Sequence, residues 1–120
     1  MKNEEKDLLP CTKMFARRII RLYCALAKND TVAQVLGKQA LRAGTSVGAN
    51  YREANRARSK AEFISKMGDC LKEADETLYG LELMMDENVV PSRRLTPLAE
   101  EANELVAIFI TILKRARGHE

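Results

Sequence analysis

Apolar residues recur along most of this chain at steps of three and four, the spacing that lines one face of an α-helix. A first segment, about residues 12–28, carries Phe15, Ile19, Leu22, Tyr23 and Leu26 on such a stripe, with Arg17, Arg21 and Lys28 on the other side. Asn29 and Asp30 then supply a stop and a fresh N-cap. A second stripe, Val32, Leu36, Ala40, Ala43, Val47, Tyr51 and Ala54, predicts a helix over about 31–57. Ser59 and Glu62 form an S-x-x-E capping box, in which each side chain satisfies the other residue's backbone N–H. The third helix, about 60–87, shows Phe63, Met67, Cys70, Leu71, Ala74, Leu78, Leu81 and Met85, and is closed by Asn88 and Pro91. Thr96 and Pro97 read as N-cap and first helical residue of a fourth helix over about 96–116, with Ser92 as a looser alternative start. That helix carries Leu98, Ala102, Leu105, Val106, Phe109, Ile112 and Leu113.

No alternation of period two runs long enough to predict a strand. Short loops between helices of similar length make neighbours antiparallel. The expected architecture is all-α, a single up-down-up-down four-helix bundle spanning the 120 residues.

Composition fits that picture and narrows the function. Hydrophobic residues make up 46% and aromatics only 5%, with no Trp, so the core must rest on aliphatic side chains, Met and Ala. Cys11, Cys24 and Cys70 are odd in number and lack C-x-x-C spacing, which points to thiols in a reducing compartment rather than a disulfide framework or zinc site. Met1 to Asp7 is densely charged and does not read as a signal peptide. The longest apolar run, Leu105 to Leu113 interrupted by Thr111, is about half of what spans a bilayer. The expected location is the cytoplasm, without membrane contact.

The net charge of +3 conceals a reversal of sign. Residues 31–60 carry Lys38, Arg42, Arg52, Arg56, Arg58 and Lys60 against the single acid Glu53. Residues 61–104 carry eleven acids against Lys66, Lys72, Arg93 and Arg94. Such a reversal predicts either a charged partner or two oppositely charged segments lying side by side.

The run from Arg42 to Asn50, RAGTSVGAN, is unusual for a helix interior. Each Gly costs about 1 kcal/mol relative to Ala there, so something must offset Gly44 and Gly48. Their spacing of one turn predicts close approach of another backbone, with Asn50 and Glu53 hydrogen-bonding into the third helix or a neighbouring subunit. It matches neither phosphate-binding glycine motif, and no strand precedes it.

The stretch from Gly37 to Ala54, GKQALRAGTSVGANYREA, resembles the signature of the four-helix-bundle family named after 23S rRNA intervening sequences. RSKAEFI from Arg58 to Ile64, with Lys66, and LKEADET from Leu71 to Thr77 fit as well, so the resemblance extends from about Phe15 to Lys114. It implies an up-and-down bundle that assembles into a ring-like homo-oligomer, a pentamer. It also implies a distant relation to accessory proteins of diversity-generating retroelements, whose basic surfaces engage nucleic acid and a reverse transcriptase.

Raw material for catalysis is poor. The only histidine, His119, is the penultimate residue. The inward Glu-x-x-His pairs of a di-iron bundle are missing. Glu73 and Glu76 share a face that can hold a hard cation but more often forms a solvated or salt-bridged stripe. No cofactor, metal or enzymatic activity is expected.

The basic residues are the functional lead. Lys38, Arg42, Arg52 and Arg56 fall at offsets that can line one broad helix face; Arg58 and Lys60 extend it, and Arg17 and Arg21 add to it from the first helix. Such a set suits phosphate contacts with structured RNA or DNA. Without interleaved aromatics it does not read as a dedicated single-strand binder. Two alternatives stand beside it: the basic stripe pairs with the acidic stripe of the third helix, making Arg42, Glu53, Glu73 and Glu76 structural, or the bundle is a scaffold for an unidentified protein partner.

Overall fold

The structure is a computed structural model that describes residues 7–118; the readings made for Met1–Lys6 and for His119 lie outside the described residues. Four α-helices follow in chain order: α1 Leu8–Ala25, α2 Thr31–Asn55, α3 Lys60–Asp86 and α4 Ser92–Ala116. Each packs against the next, α1 on α2, α2 on α3 and α3 on α4, while α1 and α4 touch only sparsely. The result is an elongated up-and-down bundle of 47 × 22 × 21 Å around one buried core. Among the described residues, no helix is long and apolar enough to cross a membrane.

Local chemistry sets the helix ends. Asp30 caps α2, its carboxylate accepting from the Ala33 N–H at 3.1 Å. Ser59 caps α3 by accepting from the Glu62 N–H at 3.0 Å. The reciprocal half of that capping box differs from expectation: the Glu62 carboxylate takes the N–H of Arg58, at 3.1 Å, instead of that of Ser59. At the other end of α3, Asn88 adopts a left-handed φ of 55°. The Val89 N–H then donates to the Met84 carbonyl at 2.9 Å and the Asn88 N–H to that of Met85 at 3.2 Å, a Schellman closure.

Two starts lie earlier than the first choice from sequence, the second of them at the alternative, Ser92. α1 begins at Leu8, capped by Asp7 (Leu9 N–H to carboxylate, 3.2 Å). Pro10 falls in the first turn, where its missing N–H has no partner to lose, and the extension buries Leu8. α4 begins at Ser92, so Thr96 is not a cap; its hydroxyl donates back to the Ser92 carbonyl at 2.9 Å, and Pro97 stands inside the helix. The extra turn seats Leu95, which is fully buried.

The core also corrects two stripes. On α2 the buried residues are small, Ala33, Gly37, Ala40, Ala43, Gly44, Val47, Gly48 and Ala54, while Val32 is 54% exposed. On α3 the buried row is Met67, Cys70, Ala74, Thr77, Leu81 and Met84, which leaves Leu71, Leu78 and Met85 half-buried on its flank. Thr77 tolerates full burial because its hydroxyl donates to the Glu73 carbonyl at 2.7 Å.

The small face of α2 is explained by α1. A Cβ at Gly44 would lie 2.8 Å from Ile19 Cγ1, and one at Gly48 would lie 3.1 Å from Thr12 Oγ1 and 3.5 Å from the Thr12 backbone. The expected close approach is therefore made by α1, and Gly37, whose Cβ would meet Leu26 and Tyr23, extends it by two turns.

Candidate functional site

The bundle sorts its cations by which neighbour their helix face meets. Arg42 projects toward α3, donating from Nη2 to Glu76 Oε1 at 2.7 Å and from Nη1 to Glu73 Oε1 at 3.3 Å. Hydrogen bonding to Glu76, then the charge of Glu73, raises the Arg42 pKa above its ordinary value. One helical stretch further along, Lys66 Nζ lies 2.7 Å from Glu53 Oε1, and this contact raises the lysine pKa. Arg42 with Glu73 and Glu76, and Glu53 with Lys66, thus form an α2–α3 charge ladder. Asn50, expected to join it, is half-buried, and no side-chain hydrogen bond from it is seen among the described residues. Arg18 pairs with Glu101, the one ion pair seen across the thin α1–α4 seam among the described residues.

The other face of α2, toward α1, has a different character. Between the two helices runs a groove of about 560 Å³. Leu9, Pro10, Lys13 and Ala16 form its α1 wall; Thr45, Gly48, Ala49, Arg52 and Arg56 form its α2 wall. The groove exists because α2 presents small side chains where α1 comes close. Thr12 and Thr45 contribute little free polarity, since their hydroxyls donate to the carbonyls of Leu8 and Leu41 at 2.7 and 2.8 Å. No carboxylate lines it. Lys13, Arg52 and Arg56 are exposed and enter no ion pair among the described residues.

Of the residues singled out from sequence, Arg52 and Arg56 therefore come together in the groove. Lys38 lies about five turns from Arg56 on the same side of α2. Arg17 and Arg21 continue from Lys13 at four-residue steps along α1, and Arg58 and Lys60 sit at the α2–α3 turn; all five are exposed. Arg42 is drawn away to α3. Lys13 was missed because it stands at the margin of the apolar stripe of the first segment. Its four-residue spacing from Arg17 was the available signal.

Apart from Glu53, α1 and α2 contain no acid within their helical spans, and Glu53 is engaged by Lys66. α3 alone carries Glu62, Asp69, Glu73, Asp75, Glu76, Glu82 and Asp86. The molecule is electrically polarised, basic on α1–α2 and acidic on α3. Among the described residues no cluster of three or more His, Cys, Asp or Glu is placed to hold a metal. Cys70 is fully buried, and burial, reinforced by the charge of Asp69, pushes its thiol up to about 12. It packs as a neutral apolar side chain.

The fold and its surface define an all-α, up-and-down four-helix bundle with a polarised charge distribution. The chain belongs to the 23S rRNA-intervening sequence protein family, whose sequence model matches residues 5–111. It is also similar to a crystal structure of a protein of unknown function from the S23 ribosomal protein family of Bacteroides thetaiotaomicron. The two are 40% identical, with a TM-score of 0.81, over 88% of this chain and 97% of that one. No curated protein matches the chain. Neither description names a catalytic activity.

Proposed function

We propose that this chain is a non-catalytic, self-assembling helical bundle that binds structured RNA or DNA through the basic α1–α2 face. One observation carries the reading: Arg42, the α2 cation that faces α3, is neutralised by Glu73 and Glu76, whereas Lys13, Arg17, Arg52 and Arg56 are exposed and enter no ion pair among the described residues. Uncompensated Lys and Arg release counterions when they neutralise phosphates, which makes such a surface bind polyanions with strong salt dependence. A homo-oligomeric ring, a pentamer in the family resemblance, would repeat the face and multiply its effective affinity.

The test is fluorescence anisotropy with labelled structured RNA and duplex DNA across a salt series, with mass in solution measured on the same sample. Replacing Lys13, Arg52 and Arg56 together by Gln is expected to weaken binding about a hundredfold at low salt. Arg42→Gln is expected to leave it unchanged. Equal affinities for wild type and the triple variant would sink the assignment.

A second reading, an interaction scaffold without nucleic-acid binding, draws on Tyr79. It is 63% exposed on α3, with Asp75 one turn before it and Glu82 one turn after. Tyr79→Ser would then change the mass in solution or the capture of a protein partner, and leave nucleic-acid affinity untouched.

A further inference from the structure

We infer that the α1–α2 groove seats the sugar–phosphate backbone of an unpaired strand, so that the protein favours single-stranded segments of its nucleic acid over duplex. The inference rests on the nucleic-acid reading of this face and adds the substrate class.

Charge and shape point the same way. Lys13 stands on one wall, and Arg52 and Arg56, one turn apart, stand on the other. These cations, with Asn55, are the groups left to address an anion, because the threonine hydroxyls are already committed to their own helices. From Thr45 to Arg56 the α2 wall runs about 16 Å. Packed helices lie with their axes about 8–10 Å apart, so the valley between them is narrower than a double helix. A duplex holds its phosphates on a stiff convex surface that rests on the ridges. A flexible single strand can lower its phosphates between the walls, where Lys13 approaches from one side and the arginines from the other.

The apolar part of the lining says how the strand lies. Pro10 and Ala16 on one wall and Gly48 and Ala49 on the other offer an apolar surface for sugars, and no aromatic lines the groove. Bases therefore gain no stacking there and point outward, so recognition is tolerant of sequence; the strand preference, against which the missing aromatics argued at the level of sequence, rests on the groove's charge and width alone. With about three phosphates neutralised, the log–log salt slope for a single strand is about −2.

The experiment compares a labelled polyuridylate strand with a blunt RNA duplex of equal length, by anisotropy against salt. Wild type, Ala49→Leu and the Lys13, Arg52 and Arg56 to Gln variant are compared, with circular dichroism melts and mass in solution for each. Ala49 is exposed, so Leu narrows the groove without changing charge or core and without adding a ring on which bases could stack. The expected result is about tenfold preference for the strand in wild type. Ala49→Leu should lower strand affinity about tenfold and erase the preference. Duplex bound as tightly as strand, or a strand affinity indifferent to Ala49→Leu, would overturn the groove assignment and leave the basic face standing. Binding of neither ligand by wild type would overturn both readings. A change of mass in Ala49→Leu with unaltered strand affinity would give the groove to a second copy of the chain and overturn the inference.

Discussion

Gly44→Ala and Gly68→Ala make a matched pair that separates packing from helix propensity. Both glycines lie inside long helices, so each substitution should gain about 1 kcal/mol from propensity and from a less flexible unfolded chain. Their surroundings differ. A Cβ at Gly68 meets nothing within 4 Å, so Gly68→Ala keeps the whole gain. A Cβ at Gly44 would lie 2.8, 3.1 and 3.2 Å from Ile19 Cγ1, Cγ2 and Cβ. Ile19 is fully buried and β-branched, hence stiff at χ1, so it has no rotamer to retreat into. The helices must part by several tenths of an ångström, at an overpacking cost of about 1–3 kcal/mol. The expected net is a loss of about 1 kcal/mol for Gly44→Ala against an equal gain for Gly68→Ala. For a chain of this size, each kcal/mol moves the Tm by roughly 4 °C, so the two melts should stand about 8 °C apart. Urea unfolding followed by circular dichroism gives the free energies directly. Adding Ile19→Ala to Gly44→Ala should recover about 1 kcal/mol relative to additivity. If Gly44→Ala stabilises as much as Gly68→Ala, or shows no coupling to Ile19, close helix approach is not the reason for the glycine.

Three further outcomes follow from the structure. Cys70 should resist Ellman's reagent until the protein unfolds, while exposed Cys24 reacts at once. Its thiol pKa is raised to about 12 in the folded state, so the unfolded chain loses that proton first and stability falls as pH climbs above 9. The contribution is on the order of 1 kcal/mol by pH 10 and should vanish from the alkaline slope in Cys70→Ala. Arg42→Gln should leave the urea midpoint essentially unchanged, because the guanidinium is largely exposed; a clear fall in the midpoint would mean the ladder matters more than solvent screening allows. Ser59→Ala should cost about 1 kcal/mol by removing the N-cap of α3, and a neutral result would shift that role to Glu62.

What the sequence discloses depends on whether the deciding interaction is local. Asp30, Ser59 and Asn88 mark helix ends through bonds to neighbouring backbone, so those three were readable. The start of α1 was not, and that of α4 was visible only as the alternative at Ser92, because Leu8 and Leu95 are recruited by burial against other helices, and the prolines nearby imitate boundaries. On α2 the small buried face was legible from Ala40 to Ala54, Gly44 and Gly48 included, but not at Ala33 and Gly37, beside which the larger Val32 and Leu36 stand on the apparent stripe. The basic set shows the same limit. Its residues and its sign were legible, but only the packed neighbours reveal that Arg42 belongs to α3 while Arg52 and Arg56 join Lys13 across the groove.

The sparse meeting of α1 with α4 governs the order in which the molecule comes together and apart. Most contacts outside the helices join consecutive elements, so the chain can assemble as a succession of hairpins without closing a long loop, a low contact order that favours fast folding. In the native state α1 is fastened essentially along α2 alone, and it is the shortest of the four helices. Its amides should therefore exchange with solvent through openings of lower free energy than those of α2 and α3. The groove lies on this same hinge of the bundle, so a ligand bridging Lys13 to Arg52 should slow that exchange first.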